Sequence, residues 1–454
     1  MLIFYMKKIN KFFNPKTIAL IGATDRKGSV GLSLCKNLLT GIKKRKIFFV
    51  NPFNKKVLKK KTLSSVKSIK GPVDLVVVAV PSKVVLSVIK ESVEKKVGGV
   101  IIISSGFAEL NKEGRVLQEK IMKILNKAQI PLLGPNCLGI VRPEINLNAS
   151  FAFTTPSKGG IAFISQSGAL VGSIIDRSLS EHYGFSTIIS YGNEAGLDLC
   201  DFLEWLKEDK KTKVIGVYLE AIKNGKRFMK VAKAVGKSKT ILILKSGKTK
   251  VGQKAAMSHT AALSSSYNIY SAAFKQAGVL EVETIEELFD SLKALSWQPK
   301  CKNEIAIIGN SGGCGVLLAD YCEELGVKLA KLDKKLFEKI NKSKGMDRNI
   351  IPGNPIDIFG DALSNRYEIT LNNLLAQKNV QGVIIVQTLQ SMTTVEKNAK
   401  IIVRIKKKWP DKSIITLFMG GKNVAKGIDI LEKNKIPNYF DPKEAVLAMR
   451  ALIR

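Results

Sequence analysis

The chain has 454 residues, 45% hydrophobic and 24% charged, without a low-complexity tract; this is the composition of a folded globular protein and excludes a disordered one. At roughly 150 residues per domain, the length calls for about three cores. Lys and Arg outnumber Asp and Glu by 73 to 38, a formal charge of +35, but the basic residues run along the whole chain. The two locally dense stretches, 43–46 and 59–61, contain no aromatic residue, which a single-strand nucleic-acid binder would interleave. The reading is a lysine-biased solvated surface that also attracts polyanionic ligands, with no nucleic acid as partner.

No apolar run approaches the roughly 20 residues that a bilayer requires. The apolar stretch from Met1 to Met6 precedes Lys7 and Lys8, the reverse of the charge order in a secretory signal. The expectation is a cytoplasmic protein with no membrane partner. Cys35, Cys137, Cys200, Cys301, Cys314 and Cys322 form no CxxC pair, and there are two histidines. Reduced, buried thiols and no metal site are expected.

In chain order, short β-branched runs alternate with amphipathic helical segments, the pattern of parallel α/β sheets. The first block, 1–150, shows strands at 17–21, 47–50, 75–80, 100–103 and 130–133 and a helix at 84–95, a doubly wound nucleotide-type domain. A polar connector with Pro143, Pro156, Gly159 and Gly160 leads into the second block, 151–298, with strands at 161–164, 187–190, 214–219 and 240–244. Pro299 marks a break. The third block, 299–454, opens at Ile305 and has later strands at 383–387 and 414–418.

Four strand-to-helix junctions carry the chemistry, because small residues before a helix present its free N–H groups to an anion. The first runs Gly22, Thr24, Gly28, Ser29, Gly31 and departs from the GxGxxG dinucleotide pattern. The second strand ends in Asn51-Pro52, where an NAD enzyme would carry Asp or Glu. A different phosphorylated nucleotide is favoured. The second junction is Ser165, Ser167, Gly168, Ala169 and the third is Asn310, Ser311, Gly312, Gly313; each directs a helix dipole at a phosphoryl group. A serine elbow at the second is disfavoured, since GxSxG is absent. The fourth is a long Gly/Ser/Lys loop holding His259 between Ser258 and Thr260. A neutral imidazole can attack phosphorus, and a carboxylate must steady its other nitrogen. Glu220, at the end of the strand at 214–219, is the acid that a parallel-sheet site would supply. His182 has no such setting.

These residues resemble the NDP-forming acyl-CoA synthetases, nearest in pattern to the α subunit of ADP-forming acetyl-CoA synthetase and more distantly to that of succinyl-CoA synthetase. GATDRKGSVG, the VNP after the second strand, AVPS, SSGFAE and LGPNCLG look like the family's CoA-binding domain; ISQSGAL, SYGNEAGLDLCDFLEWL, YLEAI and SHTAAL look like its second domain; GNSGGCG and GNPIDIFGDA look like its third. The resemblance implies a Rossmann-like CoA-binding domain followed by two flavodoxin-like, succinyl-CoA synthetase-like domains. It implies coenzyme A at Gly22, Thr24, Gly28, Ser29, Gly31, Asn51, Pro52, Lys55, Ser82, Ser104, Ser105, Gly106 and Asn136. Phosphate would sit at Ser165, Ser167, Gly168 and Ala169 and at Ser311, Gly312 and Gly313, with His259 carrying the phosphoryl group and Glu220 steadying it. Cys314 stands where the family often has Pro. No stretch resembles the family's ATP-grasp domain, so ADP/ATP and Mg2+ are expected on a separate β subunit in an α2β2 hetero-oligomer. Two other classes share parts of the pattern. An NAD(P)-dependent oxidoreductase is opposed by Asn51-Pro52, and a non-catalytic CoA-binding regulatory protein would have no need of the SHTA loop and both phosphate turns.

Overall fold

The structure is a computed structural model that describes residues 2–254, 267–302 and 304–453, with the helical backbone alone for 2–7. It divides into two compact units, Met1–Glu283 and Thr284–Arg454.

Unit 1 holds two seven-stranded sheets. In the first, β1 (Thr17–Ile21) is central, flanked by β2 (Lys46–Val50) and β5 (Leu75–Val78) in parallel. On one side the sheet continues through β4 (Lys60–Leu63) to β3 (Lys56–Val57); on the other it continues to β6 (Val100–Ile102) and β7 (Leu132–Leu133). These runs are strands because they are β-branched and covered on both faces: all four residues of β5 and all three of β6 are buried. Strand order reverses at β1, so the loops after β1 and β5 open on a crevice at the carboxyl edge. The antiparallel β3–β4 hairpin escapes a pattern search, because it is short and half of its strand residues are lysine.

The second sheet has the order β14-β13-β12-β10-β11-β8-β9. Its parallel part comprises β10 (Lys158–Ser165), β11 (Phe185–Ser190), β12 (Val214–Leu219), β13 (Thr240–Lys245) and β14 (Leu280–Val282). The polar connector is itself structured. Gly139–Arg142 (β8) and Leu147–Ser150 (β9) pair antiparallel, and β8 pairs antiparallel with β11. Pro143 opens a 3-10 turn and Asn146 takes the left-handed φ of +53° that closes it. This ribbon carries one apolar core across both sheets, from Phe13 and Leu20 through Ile140 and Ala149 to Ile164 and Phe202. Both blocks therefore fall into one compact unit.

Unit 2 carries a parallel sheet in the order β16-β15-β17-β18, with β15 at Ile305–Gly309, β16 at Ile356–Asp357, β17 at Gly382–Gln387 and β18 at Ser413–Phe418. The helices Ile285–Trp297 and Pro442–Leu452 pack together in this unit. A buried ion pair, Lys293 to Glu432 at 3.1 Å, ties the first of them to the helix Ala425–Lys433.

Arg142, 3% exposed, fastens the ribbon in unit 1. Its guanidinium donates to Phe13 O at 3.1 Å and Thr187 Oγ1 at 3.2 Å, pairs with Asp209 at 3.3 Å, and lies 4.7 Å from the Trp205 ring centroid. Removing one partner of a buried charge pair leaves the other uncompensated. Arg142→Ala is expected to lower the unfolding free energy by about 3 kcal/mol, measured by urea denaturation; a loss under about 1 kcal/mol would show the pair to be incidental.

Candidate active site

The CoA-type turns occupy the carboxyl edge of the first sheet. Gly22 has φ of +91°, and a Cβ there would lie 2.3 Å from Ala79 O, so only glycine fits. Ser29 caps the helix Val30–Leu39, its Oγ accepting from Leu32 N at 3.2 Å, while Thr24 Oγ1 accepts from Arg26 N at 3.2 Å. The Asn51 carboxamide donates to Ala23 O at 2.9 Å and accepts from Phe53 N at 2.9 Å and Asn54 N at 3.1 Å. An amide is thus used here to join the first glycine turn to the loop of Pro52, Phe53 and Lys55, where a carboxylate would have held a ribose. Pro52 and Lys55 are exposed.

On the other side of β1, Ser104 Oγ donates to Val80 O. Gly106 has φ of +99° and sits beside Ser82 Oγ, which a Cβ would meet at 2.9 Å. Glu109 Oε1 accepts from Gly106 N at 2.6 Å and Phe107 N at 3.1 Å, and Asn193 donates to its other oxygen. Burial raises the Glu109 carboxyl, but the bonds from Asn193, Phe107 and Gly106 hold it below the usual carboxylate range. Asn136, at φ of +56°, donates its N–H to Ser104 O at 3.0 Å and its carboxamide to Asn193 Oδ1 at 3.3 Å. Asn193 therefore links the turn of Gly106 and Glu109 to that of Asn136.

The phosphate-type turn follows β10, the strand at which the order of the second sheet reverses. Ser165 is fully buried; its Oγ donates to Ser167 O at 2.8 Å and accepts from Ser167 N at 3.1 Å. Ser167 caps the helix Gly168–Ser180 through Leu170 N at 3.4 Å, which directs the first N–H groups of that helix outward. Gln166, beside it, gave no signal in the sequence yet holds the site together. Its Oε1 accepts from Glu220 N and from Ala221 N at 3.1 Å, and its Nε2 donates to Ala221 O at 3.4 Å. Glu220 is buried at the end of β12. On the adjacent β13, the buried Lys245 lies 4.7 Å from the Tyr270 ring centroid; burial lowers its ammonium, and Glu220 and Glu281 oppose that. His259 lies outside the described residues.

One cavity of about 760 Å³ joins the two sets of turns. It is lined by Ser104, Ser105 and Asn136 from the first sheet and by Gln166, Ser167, Gly168 and Ala169 from the second. Gly22, Thr24, Gly28, Ser29, Gly31, Asn51, Pro52 and Lys55 belong to the same sheet edge outside this lining, and Ser165 supports the turn from behind.

In unit 2, β15 runs into Ser311, which caps the helix Gly312–Glu324 by accepting from Cys314 N at 3.4 Å. Proline at that position could not donate, so cysteine leaves the turn with one more bond. A Cβ on Gly312 would lie 2.8 Å from Asp357 Oδ2, which places a carboxylate at the edge of this turn. Among the described residues, one acidic triad brings carboxylate oxygens within 4.8 Å of one another: Glu286, Asp290 and Glu444. Glu444 completes the capping box of Asp441 and Glu286 lies in the first turn of its helix, where acids complement the dipole. No helix among the described residues is long and apolar enough to cross a membrane.

Comparison with known proteins gives three adjoining matches: a CoA binding domain over 16–143, a succinyl-CoA ligase-like flavodoxin domain over 158–295 and a Ligase-CoA domain over 305–451. Together they define an acid–thiol ligase architecture. The α subunit of ADP-forming acetate–CoA ligase II from Pyrococcus furiosus is 40% identical over 98% of this chain and 97% of its own. ADP-forming acetate–CoA ligase I from Archaeoglobus fulgidus is 39% identical over 98% of this chain, which spans 63% of that longer relative. The dinucleotide-forming acetyl-coenzyme A synthetase 1 of Ca. Korarchaeum cryptofilum, solved with phosphate and ADP, superposes with a TM-score of 0.93 at 34% identity, covering 98% of this chain and 96% of the other. The chain belongs to the NDP-forming acyl-CoA synthetase family, alongside the ADP-forming acetate–CoA ligases.

Glu194 is a second residue that the sequence did not mark. It takes a left-handed φ of +52° and is 6% exposed; Lys223 Nζ stands 3.9 Å from its carboxylate and donates to the carbonyls of Asn193 and Glu194. Burial pushes its carboxyl up to about 7, and Lys223 opposes this in part. Above its unfolded value, near 4.3, the folded chain still holds a proton that the unfolded chain has released. The stabilisation is therefore complete below about pH 4 and is lost as pH rises through about 7. The thermal midpoint of the wild type should fall more steeply than that of Glu194→Gln between about pH 5 and about pH 8; parallel curves would remove Glu194 as the source.

Proposed function

We propose that this chain is the CoA-binding, phosphoryl-carrying α subunit of an ADP-forming acyl-CoA synthetase, which turns acyl-CoA, ADP and phosphate into carboxylic acid, ATP and CoA. The observation that carries the reading is the shared cavity: its CoA-domain wall of Ser104, Ser105 and Asn136 faces the same space as the helix start at Ser167, Gly168 and Ala169. A thioester carbonyl and a bound phosphate can meet only where such walls coincide.

In this reading a phosphate oxygen attacks the thioester carbonyl carbon, the C–S bond breaks, and the sulfur leaves to take a proton as CoA. The N–H groups after Ser167 hold the phosphate. A ring nitrogen of His259 then attacks phosphorus, and the P–O bond to the acyl group breaks, releasing the carboxylate. Glu220, fixed through Gln166, steadies the other ring nitrogen. Ser311, Gly312 and Gly313 present a second array of N–H groups to phosphate. An oxygen of the ADP terminal phosphate finally takes the phosphoryl group as the P–N bond breaks. ADP and Mg2+ belong to an ATP-grasp β subunit, with the whole an α2β2 assembly in the cytoplasm. The P. furiosus relative, which the chain matches over 97% of its length, is itself named an α subunit, and six free, buried cysteines suit a reducing compartment.

Incubation with acyl-CoA and radioactive phosphate should label the wild-type chain and leave His259→Ala unlabelled, with CoA binding and circular dichroism measured alongside to report the fold. Label persisting in that variant would exclude His259 as the carrier. Glu220→Gln is expected to slow labelling at least ~100-fold; an unchanged rate would take Glu220 out of the mechanism.

A further inference from the structure

In unit 2, the loops and helix starts that follow β17 and β18 enclose a recess of about 710 Å³, which the reaction above leaves unused. Ligands of open α/β sheets bind outside these carboxyl ends of the strands. Nine of the described residues line the recess and four of them are lysines, Lys397, Lys400, Lys422 and Lys426. Lys and Arg together make up 73 of the 454 residues of the chain, so the share of cations here is nearly three times the average. All four are exposed.

Local helix chemistry works against these lysines. Lys397 lies in the first turn of the helix Val395–Lys408 and Lys426 in that of Ala425–Lys433, where the dipole favours acids and disfavours cations. Lys397 and Lys400, three residues apart, add like-charge repulsion on one face. Among the described lining residues Glu396 is the one acid. It stands 3.9 Å from Lys426, and with the two side chains 50% and 85% exposed water screens the pair. Neither helix start has a side-chain cap. The Thr394 hydroxyl, at the cap position of the first, bonds instead with Ser364 Oγ at 2.7 Å, and Ser364 donates onward to Asn398 Oδ1 at 2.6 Å. The first N–H groups of both helices are left to water or a ligand. An anion seated in the recess would neutralise the lysines and complement both dipoles at once.

We propose that this recess binds an oligophosphate, an anion of two or more linked phosphoryl groups, through Lys397, Lys400, Lys422 and Lys426. Four ammonium groups shared between two helix starts call for more charge and more span than one orthophosphate provides. None of the described lining residues is aromatic, so a nucleobase has nothing to stack on. Recognition is of the phosphate chain itself, whether inorganic or the tail of a nucleotide. The site uses none of the residues of the acyl-CoA synthetase reading and stands or falls independently of it.

Isothermal titration of the full chain with tripolyphosphate, orthophosphate and ATP, without Mg2+ and at constant ionic strength, tests the site. Tripolyphosphate is expected to bind at least ~10-fold more tightly than orthophosphate. The double variant Lys397→Gln, Lys422→Gln should weaken tripolyphosphate at least ~10-fold, while its thermal midpoint without ligand stays at or above that of the wild type, because repulsion at the helix start is relieved. The control Lys334→Gln, Lys335→Gln makes the same charge change at a single helix start outside the recess and should leave the affinity within about twofold. ATP bound as tightly as tripolyphosphate would mark the tail of a nucleotide as the source, and ATP bound ~10-fold more weakly an inorganic chain; either result upholds the recess. No binding of tripolyphosphate, orthophosphate bound as tightly, unchanged affinity in the first double variant or an equal loss in the control would overturn it. A lower ligand-free midpoint in the first double variant would assign these lysines to the fold and overturn the site as well.

Discussion

The antiparallel ribbon of β8 and β9 is the constraint on which the site in unit 1 depends. It extends the second sheet, shares its apolar face with the first, and is locked by the Arg142 guanidinium against Phe13, Thr187 and Asp209. Because the core runs unbroken beneath both sheets, the separation between the CoA-domain turns and the phosphate turn is fixed before any ligand arrives. Reactions between two bound partners gain most from such prior placement, since the cost of bringing them together has been met by folding.

A second layer of polar clamps refines that placement. Gln166 holds the phosphate turn to the Glu220 strand end, Asn193 joins Glu109 and Asn136 across the sheets, and Lys223 secures the carbonyls of Asn193 and Glu194. Gln166 sits within the Ser165–Ala169 turn and Asn193 beside Gly192, yet neither is one of the small residues by which such turns are recognised. They hold the turns at their working separations, and each buried carboxylate among them has a hydrogen-bond or ionic partner, as the low dielectric requires.

The sequence revealed what repeats and missed what pairs at a distance. β1, β5, β6, β10 and β12 were legible because strands buried on both faces read as continuous β-branched runs. The glycine turns were legible because only small residues allow such close approach of backbone. The ribbon was hidden by Pro143 and by its shortness, the β3–β4 hairpin by its lysines, and the clamp of Gln166 by the fact that a carboxamide's partners lie more than fifty residues away. Glu220 was reached by position at a strand end, whereas nothing local marks Glu194, whose buried setting comes from the fold around it.

A single core beneath two sheets also bears on how such a chain can be rearranged by recombination. The boundary near residue 150 looks like a seam between modules, yet a cut there would leave β8 and β9 with the first module and strip β11 of its antiparallel neighbour. Each fragment would expose a face of the shared core to water. A fusion or fission that keeps this shared core covered would fall outside Met1–Glu283.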